Sequence, residues 1–211
     1  MRAVVAALIA VSSLSCRSAA TDRTAPVVQP GAPGAPSRIV TSDELGALHR
    51  RRFTAADVKF MQGMIGHHAQ AIEMTALLAS RSTDPQMKLL AQRIELSQAD
   101  EIKMMREWLE ARGQQVPDAH AHHAAGATLM PGMLTQDEMS RLAAASGAGF
   151  DRLFLEAMIK HHNGALIMVK DLMATPGAGQ ESEIFAFASD VDADQRMEIA
   201  RMAAMLRERS K

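Results

Sequence analysis

The sequence predicts an all-α protein, a four-helix bundle made of two tandem helical hairpins. Of its 211 residues, 47% are hydrophobic but only 3% are aromatic, and the abundant Ala, Leu, Met, Glu and Arg favour helices over sheets. Residues 60–78 (FMQGMIGHHAQAIEMTALL) and 154–172 (FLEAMIKHHNGALIMVKDL) repeat one pattern, and residues 98–109 and 195–206 repeat a second, Q-x-x-E-I-x-x-M-x-x-x-L. Each hairpin alone would leave an apolar face in water, whereas pairing the two buries both faces.

The first 16 residues are typical of a secretory signal. Arg2 precedes an apolar stretch that is too short to span a bilayer, and small residues follow it. Cys16, the only cysteine, stands where a bacterial lipoprotein would be cleaved and acylated; cleavage after residues 18–20 (SAA) is the alternative. We therefore expect an exported protein in the periplasm or at the cell surface, bound to a membrane only through lipidated Cys16. A single cysteine allows no internal disulfide and, once acylated or removed, it is no metal ligand.

Residues 17–40 are rich in Pro, Ala, Gly and Thr and have little apolar surface to bury. This composition predicts a disordered linker that tethers the folded part. The bundle domain is then predicted over residues 41–211, with hairpin 1 at about 54–113, a connection at 114–148 and hairpin 2 at about 149–210.

Capping signals set the predicted boundaries of the first hairpin. Thr54, with an acidic residue three positions later, resembles a capping box and begins a helix over about 55–81. Asp84 followed by Pro85 is a strong helix start. The second helix then runs to the residue before Gly113, a typical C-terminal glycine.

The connection and the second hairpin show similar signals. Thr135 with Glu138 forms a second capping box that begins a short helix, ending near residue 145. The two helices of the second hairpin are predicted over about 151–174 and 181–209. The turn between these two helices contains Thr-Pro-Gly, which ends a helix.

Each half of the repeat carries a His-His pair flanked by Met at helical spacing, which predicts a duplicated metal site. On the first helix, Met64 precedes His67 and His68 by three and four residues, so the side chains share one side of the helix. Imidazole binds Cu(II), Zn(II) and Cu(I), whereas a thioether adds affinity mainly for Cu(I). The pairs would converge on a shared seam if the two repeated helices are neighbours in the bundle.

A purely structural role is the alternative for these residues. Met is a common gap-filler in helical cores, and paired histidines could hydrogen-bond across the bundle. The recurring Gln and Glu of the second helices could do likewise: Gln98, Glu101, Gln195 and Glu198. Both copies retain His-His while neighbouring positions drift, from Gly66 to Lys160 and from Gln70 to Gly164, which favours a constraint shared by the two halves.

The connection contains a second candidate metal site. His120, His122 and His123 lie close in sequence to Met130 and Met133 of an MPGM turn. Flexible His-rich tracts often bind metals weakly and unselectively. The sequence is therefore compatible with a specific metal site and also with a tract that binds metals weakly and unselectively.

Charge and motifs narrow the function class. A formal net charge of -1 without a basic cluster argues against a nucleic-acid partner. Di-iron bundle enzymes need Glu-x-x-His, which the sequence lacks, and no Ser or Cys nucleophile has a recognisable setting. We expect a binding protein with no catalytic residues; a structural module and a ferritin-like metal-dependent oxidase are the alternatives.

The doubled HH-x-x-A-x-x-M pattern, the MPGM turn and the Q-x-x-E-I-x-x-M helices resemble the domain of unknown function 305 family over about residues 50–208. The resemblance implies an exported bacterial protein with a ferritin-like four-helix bundle. It implies copper, Cu(I) or Cu(II) with silver as an alternative, as the bound partner, and a role in sequestration or copper resistance without an organic cofactor. Self-association is left open. The implied copper ligands are His67, His68, His161, His162, Met64, Met74, Met158 and Met168.

Overall fold

The computed structural model describes residues 27–29, 36–41, 53–124, 126 and 128–209. The predicted signal, Cys16 and most of the predicted linker lie outside these residues. The chain divides into two compact units, Met1–His49 and Arg50–Lys211, and each unit is described by itself. No helix among the described residues is long and apolar enough to cross a membrane.

The N-terminal unit contains a short antiparallel strand pair. Strand β1 (Val27–Gln29) pairs with β2 (Arg38–Val40), and Val28 lies opposite Ile39. The structure differs here from the predicted disordered linker over 17–40. The physical reason is local composition, because both strands contain β-branched residues that favour an extended backbone.

The second unit is helical and agrees with the predicted all-α bundle. Two hairpins, α1–α2 and α4–α5, are joined by a connection that contains a 3-10 turn at Ala121–His123 and the short helix α3. Helices α1 and α4 pack directly on each other. The helices are α1 (Ala55–Arg81), α2 (Pro85–Ala111), α3 (Gln136–Ala144), α4 (Gly147–Ala174) and α5 (Ser182–Arg209).

The predicted helix starts are confirmed, with one shift. Thr54 and Asp57 form a complete capping box, and so do Thr135 and Glu138; the side chain of Asp84 accepts from the N–H of Gln86. Helix α4 begins at residue 147, four residues before the predicted start. The first residues of α4 include two glycines, which carry no helix signal.

Asp57 links the start of α1 to the turn before α5. Its buried carboxylate accepts from the backbone N–H and the hydroxyl of Thr54, at 2.6 and 2.9 Å, and from the backbone N–H of Gly179 at 2.7 Å. The last of these bonds spans 122 positions of sequence. A helix cap therefore also fixes one hairpin against the other.

Replacing Asp57 by Ala is expected to lower the free energy of unfolding by about 3 kcal/mol, because a charged acceptor is lost and the buried N–H of Gly179 is left unpaired. Urea unfolding followed by circular dichroism measures this loss. Asp137→Ala is the matched control, since Asp137 is an exposed acid in the first turn of α3; its expected loss is below about 0.5 kcal/mol. Equal losses in the two variants would contradict the role given to Asp57.

The core consists of two apolar clusters separated along the bundle axis. In the first cluster, α1 residues that precede the His-His pair meet α4 residues that follow it, and in the second cluster the order is reversed. Helices α1 and α4 therefore run antiparallel. The first cluster includes Phe60, Met61, Met64, Ile65, Ala165, Met168, Val169 and Leu172. The second cluster includes Ala71, Met74, Leu78, Phe150, Phe154, Leu155 and Met158.

Candidate metal centre

Four fully buried histidines form a layer across the core between the two apolar clusters; we call it the histidine layer. His67 and His68 come from α1, His161 and His162 from α4, and each is 0% exposed. The ring centroids of His67 and His161 are 3.8 Å apart. The two rings within each pair are 6.1 and 6.2 Å apart, both with 57° between the planes. The sequence repeat therefore corresponds to a pseudo-twofold axis in the structure, and this axis passes between His67 and His161.

The outer histidines are each held by a carboxylate from the second helix of their own hairpin. Nε2 of His68 lies 2.5 Å from Oε2 of Glu101 on α2. Nε2 of His162 lies at the same 2.5 Å from Oε2 of Glu198 on α5. An Nε2–H that donates to a carboxylate fixes the ring orientation and leaves Nδ1 as the free nitrogen.

The inner histidines break this symmetry. Nε2 of His67 lies 3.0 Å from the carbonyl oxygen of Pro131 in the connection, and this geometry makes it the donor. Neither ring nitrogen of His161 has a hydrogen-bond partner within the described part of the chain. The asymmetry arises because one connection serves both halves, so its carbonyl reaches only one of the two rings.

Two positions that differ between the repeats hold this connection in place. The side-chain amide of Gln70 donates to the carbonyl of Leu134 at 2.9 Å and accepts from its N–H at 2.7 Å. On α4 the matching position is Gly164, where a Cβ would lie 1.9 Å from the carbonyl oxygen of Pro131. The side-chain amide of Gln70 on α1 thus binds the connection, and the lack of a side chain at Gly164 on α4 leaves room for the MPGM turn to pack over the histidine layer.

The inner histidines are neutral at neutral pH. Burial lowers the pKa of His67 from 6.5 to about 3; repulsion that a second proton would meet from His68 adds to this effect, and the bond to Pro131 opposes it. Burial is also the main cause that lowers the pKa of His161 well below 6.5, and the repulsion that two protons on His161 and His67 would feel comes next. A neutral imidazole carries one lone pair, and a lone pair is what a metal ligand must supply.

Five ring nitrogens of the layer are buried without a hydrogen-bond partner among the described residues. They are Nδ1 of His67, His68 and His162 and both nitrogens of His161. A buried polar atom without a partner costs about 1–3 kcal/mol. Three of the rings therefore have one nitrogen held by an oxygen acceptor and the other free, which is the usual arrangement of a metal-binding histidine.

The predicted methionine ligands flank this layer on both sides. Met64 and Met168 belong to the first apolar cluster, and Met74 and Met158 to the second. All four are buried. Each side of the histidine layer thus has one methionine from each repeated helix.

The MPGM turn contributes Met130 to the edge of the bundle. The sulfur of Met130 faces Gly63, beside the methyl group of Met168. Met130, Pro131 and Met168 line part of a surface cavity of about 520 Å³. Met133 is buried, and its sulfur accepts from the N–H of Met130 at 3.4 Å.

The carboxylates of the layer lie near the surface between α2 and α5. A cavity of about 430 Å³ is lined by Asp194 and Glu198 together with Arg93 and others. Burial and then the charges of Glu101 and Glu198 raise the pKa of Asp194. The charges of Glu101 and Glu198 therefore act on Asp194, which shares this cavity with Glu198.

The histidines of the connection gather around a carboxylate of α1. Oε1 of Glu73 lies 2.8 Å from Nδ1 of His120, 2.9 Å from Nε2 of His123 and 3.5 Å from Nε2 of His122. Burial raises the pKa of Glu73, but hydrogen bonds from His123 and His120 outweigh it and place the pKa below the usual value. We call these four residues the Glu73 cluster.

Sequence reasoning missed part of both groups. Glu101 and Glu198 were visible as a repeated pair, but only as members of a structural network and without their histidine partners. Glu73 gave no signal, because Ile167 occupies the matching position in the second repeat. The carbonyl of Pro131 could not be found, since backbone atoms leave no trace in a sequence.

Comparisons place the chain among known proteins. The model of a family described as Domain of unknown function (DUF305) matches residues 57–206. The fold is similar to that of a DUF305 protein from Streptomyces coelicolor described as inferred to be secreted. Its identity is 31%, the match covers 74% of this chain and 94% of that one, and the TM-score is 0.63.

A second similar structure is CopM in the Cu(I)-bound form, at 28% identity over 74% of this chain and 98% of that one, with a TM-score of 0.57. CopM in Cu(II)-bound and Ag-bound forms is similar too, with TM-scores of 0.58 and 0.55. The uncharacterized protein L153 of Acanthamoeba polyphaga mimivirus is 41% identical over 59 residues, which is 28% of this chain and 39% of L153. The chain thus spans about two fifths of that curated relative.

Proposed function

Since this chain belongs to the DUF305 family, we propose that it is an exported copper-binding protein whose histidine layer takes up Cu(I), with Ag(I) as a chemical substitute. The family and the helical fold were both predicted from sequence; the match over residues 57–206 confirms the family, and the similar DUF305 structure from Streptomyces coelicolor confirms the fold. The likeness to CopM, which binds Cu(I), Cu(II) and Ag, supports a metal ion as partner.

The observation that carries the proposal is the set of unpaired nitrogens. In a purely structural core, five buried imidazole nitrogens without hydrogen-bond partners would destabilise the folded state, and nothing would compensate for that loss. The rings of His67 and His161 are in contact, with 3.8 Å between their centroids, so they meet at one position in the core and would have to move apart to bind one ion together. The outer pair, His68 and His162, adds a second set of donors that Glu101 and Glu198 orient from behind.

Charge and softness favour the monovalent ion. Moving an ion into a low-dielectric core costs free energy that rises steeply with its charge, so Cu(I) is easier to bury than a divalent ion. The donors of the layer are imidazoles, and the apolar clusters on either side contain the thioethers of Met64, Met168, Met74 and Met158, which Cu(I) and Ag(I) prefer. The carboxylates of Glu101 and Glu198 lie behind the imidazoles, where they offset the positive charge without replacing soft ligands.

We infer binding and sequestration rather than catalysis. The carboxylates of the layer hydrogen-bond to histidines of another helix, and Glu-x-x-His, the motif of di-iron bundles, is missing from the sequence. The signal-like N-terminus and the relative described as inferred to be secreted support export. Lipidation at Cys16 is part of the proposal and rests on the sequence alone.

Competition with a colorimetric Cu(I) chelator under reducing conditions tests the proposal. The double variant His67→Leu/His161→Leu keeps the layer filled with side chains of similar volume, and its Cu(I) affinity is expected to fall at least about 100-fold. Glu101→Gln/Glu198→Gln leaves all four imidazoles in place, and we expect a loss of about 10- to 100-fold. Unchanged Cu(I) affinity in both variants would reject the histidine layer as the copper site.

The matched control is His120→Ala/His123→Ala, which removes two imidazoles of the connection, 62% and 47% exposed. Its Cu(I) affinity is expected to stay within about twofold of the parent, because the histidine layer is untouched. A loss as large as that of the core variant would move the Cu(I) site to the connection. Circular dichroism before each titration verifies that the variants are folded.

A further inference from the structure

We propose that Glu73, His122 and His123, with His120 beside them, form a second metal site that suits a divalent d-block ion such as Zn(II) or Cu(II). This site does not depend on the proposed Cu(I) function of the histidine layer. It differs from the layer in position, since it lies at the surface between α1 and the connection. It also differs in chemistry, because it joins a carboxylate to imidazoles.

The ligand atoms are already close to their positions around a metal. One oxygen of Glu73 and one nitrogen each of His122 and His123 lie within 4.8 Å of one another. Two ligands at about 2.0–2.1 Å from a tetrahedral Zn(II) are separated by about 3.3 Å. The separations from Oε1 of Glu73, 2.9 Å to His123 and 3.5 Å to His122, bracket that value, so an ion fits with shifts of a few tenths of an ångström.

His122 has the clearest features of a ligand. Its Nδ1 lies 3.1 Å from the carbonyl oxygen of Ala119, so Nδ1–H donates there and Nε2 keeps the lone pair. Nε2 is buried without a hydrogen-bond partner in the described chain, on a side chain only 7% exposed, and it faces Oε1 of Glu73. Two electron-pair donors facing each other at 3.5 Å repel unless a proton or a cation lies between them.

His120 lies beside this three-ligand group and is not one of the three residues whose ligand atoms lie within 4.8 Å of one another. Its Nδ1 lies 2.8 Å from the same oxygen of Glu73, and its ring is stacked on that of His123 with 15° between the planes, so it helps to orient both ligands. A set of two imidazoles and one carboxylate suits Zn(II) and Cu(II), and it contains no thioether to favour Cu(I). The proposed site therefore favours a divalent ion, whereas the histidine layer favours Cu(I).

The residues of this site occur in the first repeat and not at the matching positions of the second. The connection passes close to α1 at Gly66, where a Cβ would lie at an ordinary contact distance, 3.8 Å, from the carbonyl oxygen of Ala119. In the second repeat the matching residue is Lys160, which pairs with Glu138 of α3 at 2.7 Å, and Ile167 stands in place of Glu73. The Glu73 cluster therefore belongs to one half of the bundle.

Isothermal titration of the full chain with Zn(II) tests the site. Glu73→Gln preserves size and hydrogen bonding but removes the anionic ligand, and we expect Zn(II) affinity to fall about 10- to 100-fold. His122→Leu, which removes the buried ligand, should show a loss at least as large. Glu107→Gln is the matched control, because Glu107 is an exposed glutamate of α2, 64% exposed, and its Zn(II) affinity should not change.

The core variant His67→Leu/His161→Leu separates this inference from the copper proposal. We expect it to bind Zn(II) at the Glu73 cluster as the parent does, while Glu73→Gln binds Cu(I) as the parent does. Electron paramagnetic resonance of one equivalent of Cu(II) should show imidazole nitrogen coupling that is changed by Glu73→Gln.

Two results would overturn the second site. Unchanged Zn(II) affinity in Glu73→Gln and His122→Leu, whatever their stability, would mean that Glu73 only ties the connection to α1. A loss in His120→Ala/His123→Ala without any loss in Glu73→Gln would mean an unselective histidine tract in place of a built site.

Discussion

The metal-free protein is expected to lose at least about 1.4 kcal/mol of unfolding free energy for each pH unit between pH 6 and pH 4 through its inner histidines. The pKa values of His67 and His161 are both lowered in the folded state, that of His67 to about 3. In this window the unfolded chain, with an ordinary histidine pKa near 6.5, binds a proton at His67 that the folded chain does not, and His161 acts in the same direction. Each such proton weakens the folded state by about 1.4 kcal/mol per pH unit.

Stability falls with falling pH because the pKa values of these histidines are lowered in the folded state. Above about pH 6.5 both states are neutral at these residues and stability does not depend on them. Below that value, stability falls continuously until the pH reaches the pKa of the folded state, about 3 for His67. Two pH units remove about 3 kcal/mol through His67 alone, which is a large part of the stability of a marginal domain. Urea unfolding at a series of pH values, in the presence of a chelator, measures the slope.

The variant His161→Met tests whether His161 contributes to this pH dependence. The variant keeps an unbranched side chain in the core but cannot take up a proton, so its slope should be shallower than that of the parent and approach the value for His67 alone, about 1.4 kcal/mol per pH unit. The parent and the variant should have equal slopes above pH 7. A slope that is the same in both proteins across pH 4–6 would show that His161 is protonated in the folded state.

Gly164→Ala is expected to destabilise the protein by about 3 kcal/mol or more, although alanine favours helices. A Cβ at this position would lie 1.9 Å from the carbonyl oxygen of Pro131 and 2.6 Å from the Cα of Gly132. Both are backbone atoms, so the MPGM turn must move away from α4, and overpacking of this kind costs about 1–3 kcal/mol or more. The shift would also withdraw the oxygen that accepts from His67.

Gly149→Ala is the matched control on the same helix. A Cβ at position 149 meets no atom within 4 Å, so the substitution should stabilise the protein by about 0.5–1 kcal/mol through helix propensity. Urea unfolding of the two variants should therefore give changes of opposite sign. If Gly164→Ala is as stable as the parent, the close packing of the MPGM turn on α4 is wrong.

The helices could be predicted because their signals are local. Capping boxes at Thr54 and Thr135, the Asp84-Pro85 start and the apolar repeat all act within a few residues, and the structure has each of them. The repeat also predicted that α1 and α4 would bring their His-His pairs together. Symmetric duplication is readable from a sequence, since it requires both copies to keep the same residues.

The remainder of the site could not be predicted because it is made by the connection. Gln70 and Gly164 resembled neutral drift between the repeats, yet both contact the MPGM turn. The role of Glu73 in the cluster depends on His120 and His123, which lie 47 and 50 positions away in the sequence. Such contacts depend on where an irregular segment lies in space, and no periodicity encodes that.

Because a single connection lies across the pseudo-twofold axis, the inner histidines of the two halves have different hydrogen bonds. His67 is bound to Pro131 and has its proton fixed on one nitrogen, whereas His161, its twin, keeps both tautomers open. An incoming ion would meet a rigid donor on one side and an adjustable donor on the other, so the pair can follow a change in coordination geometry without moving the scaffold.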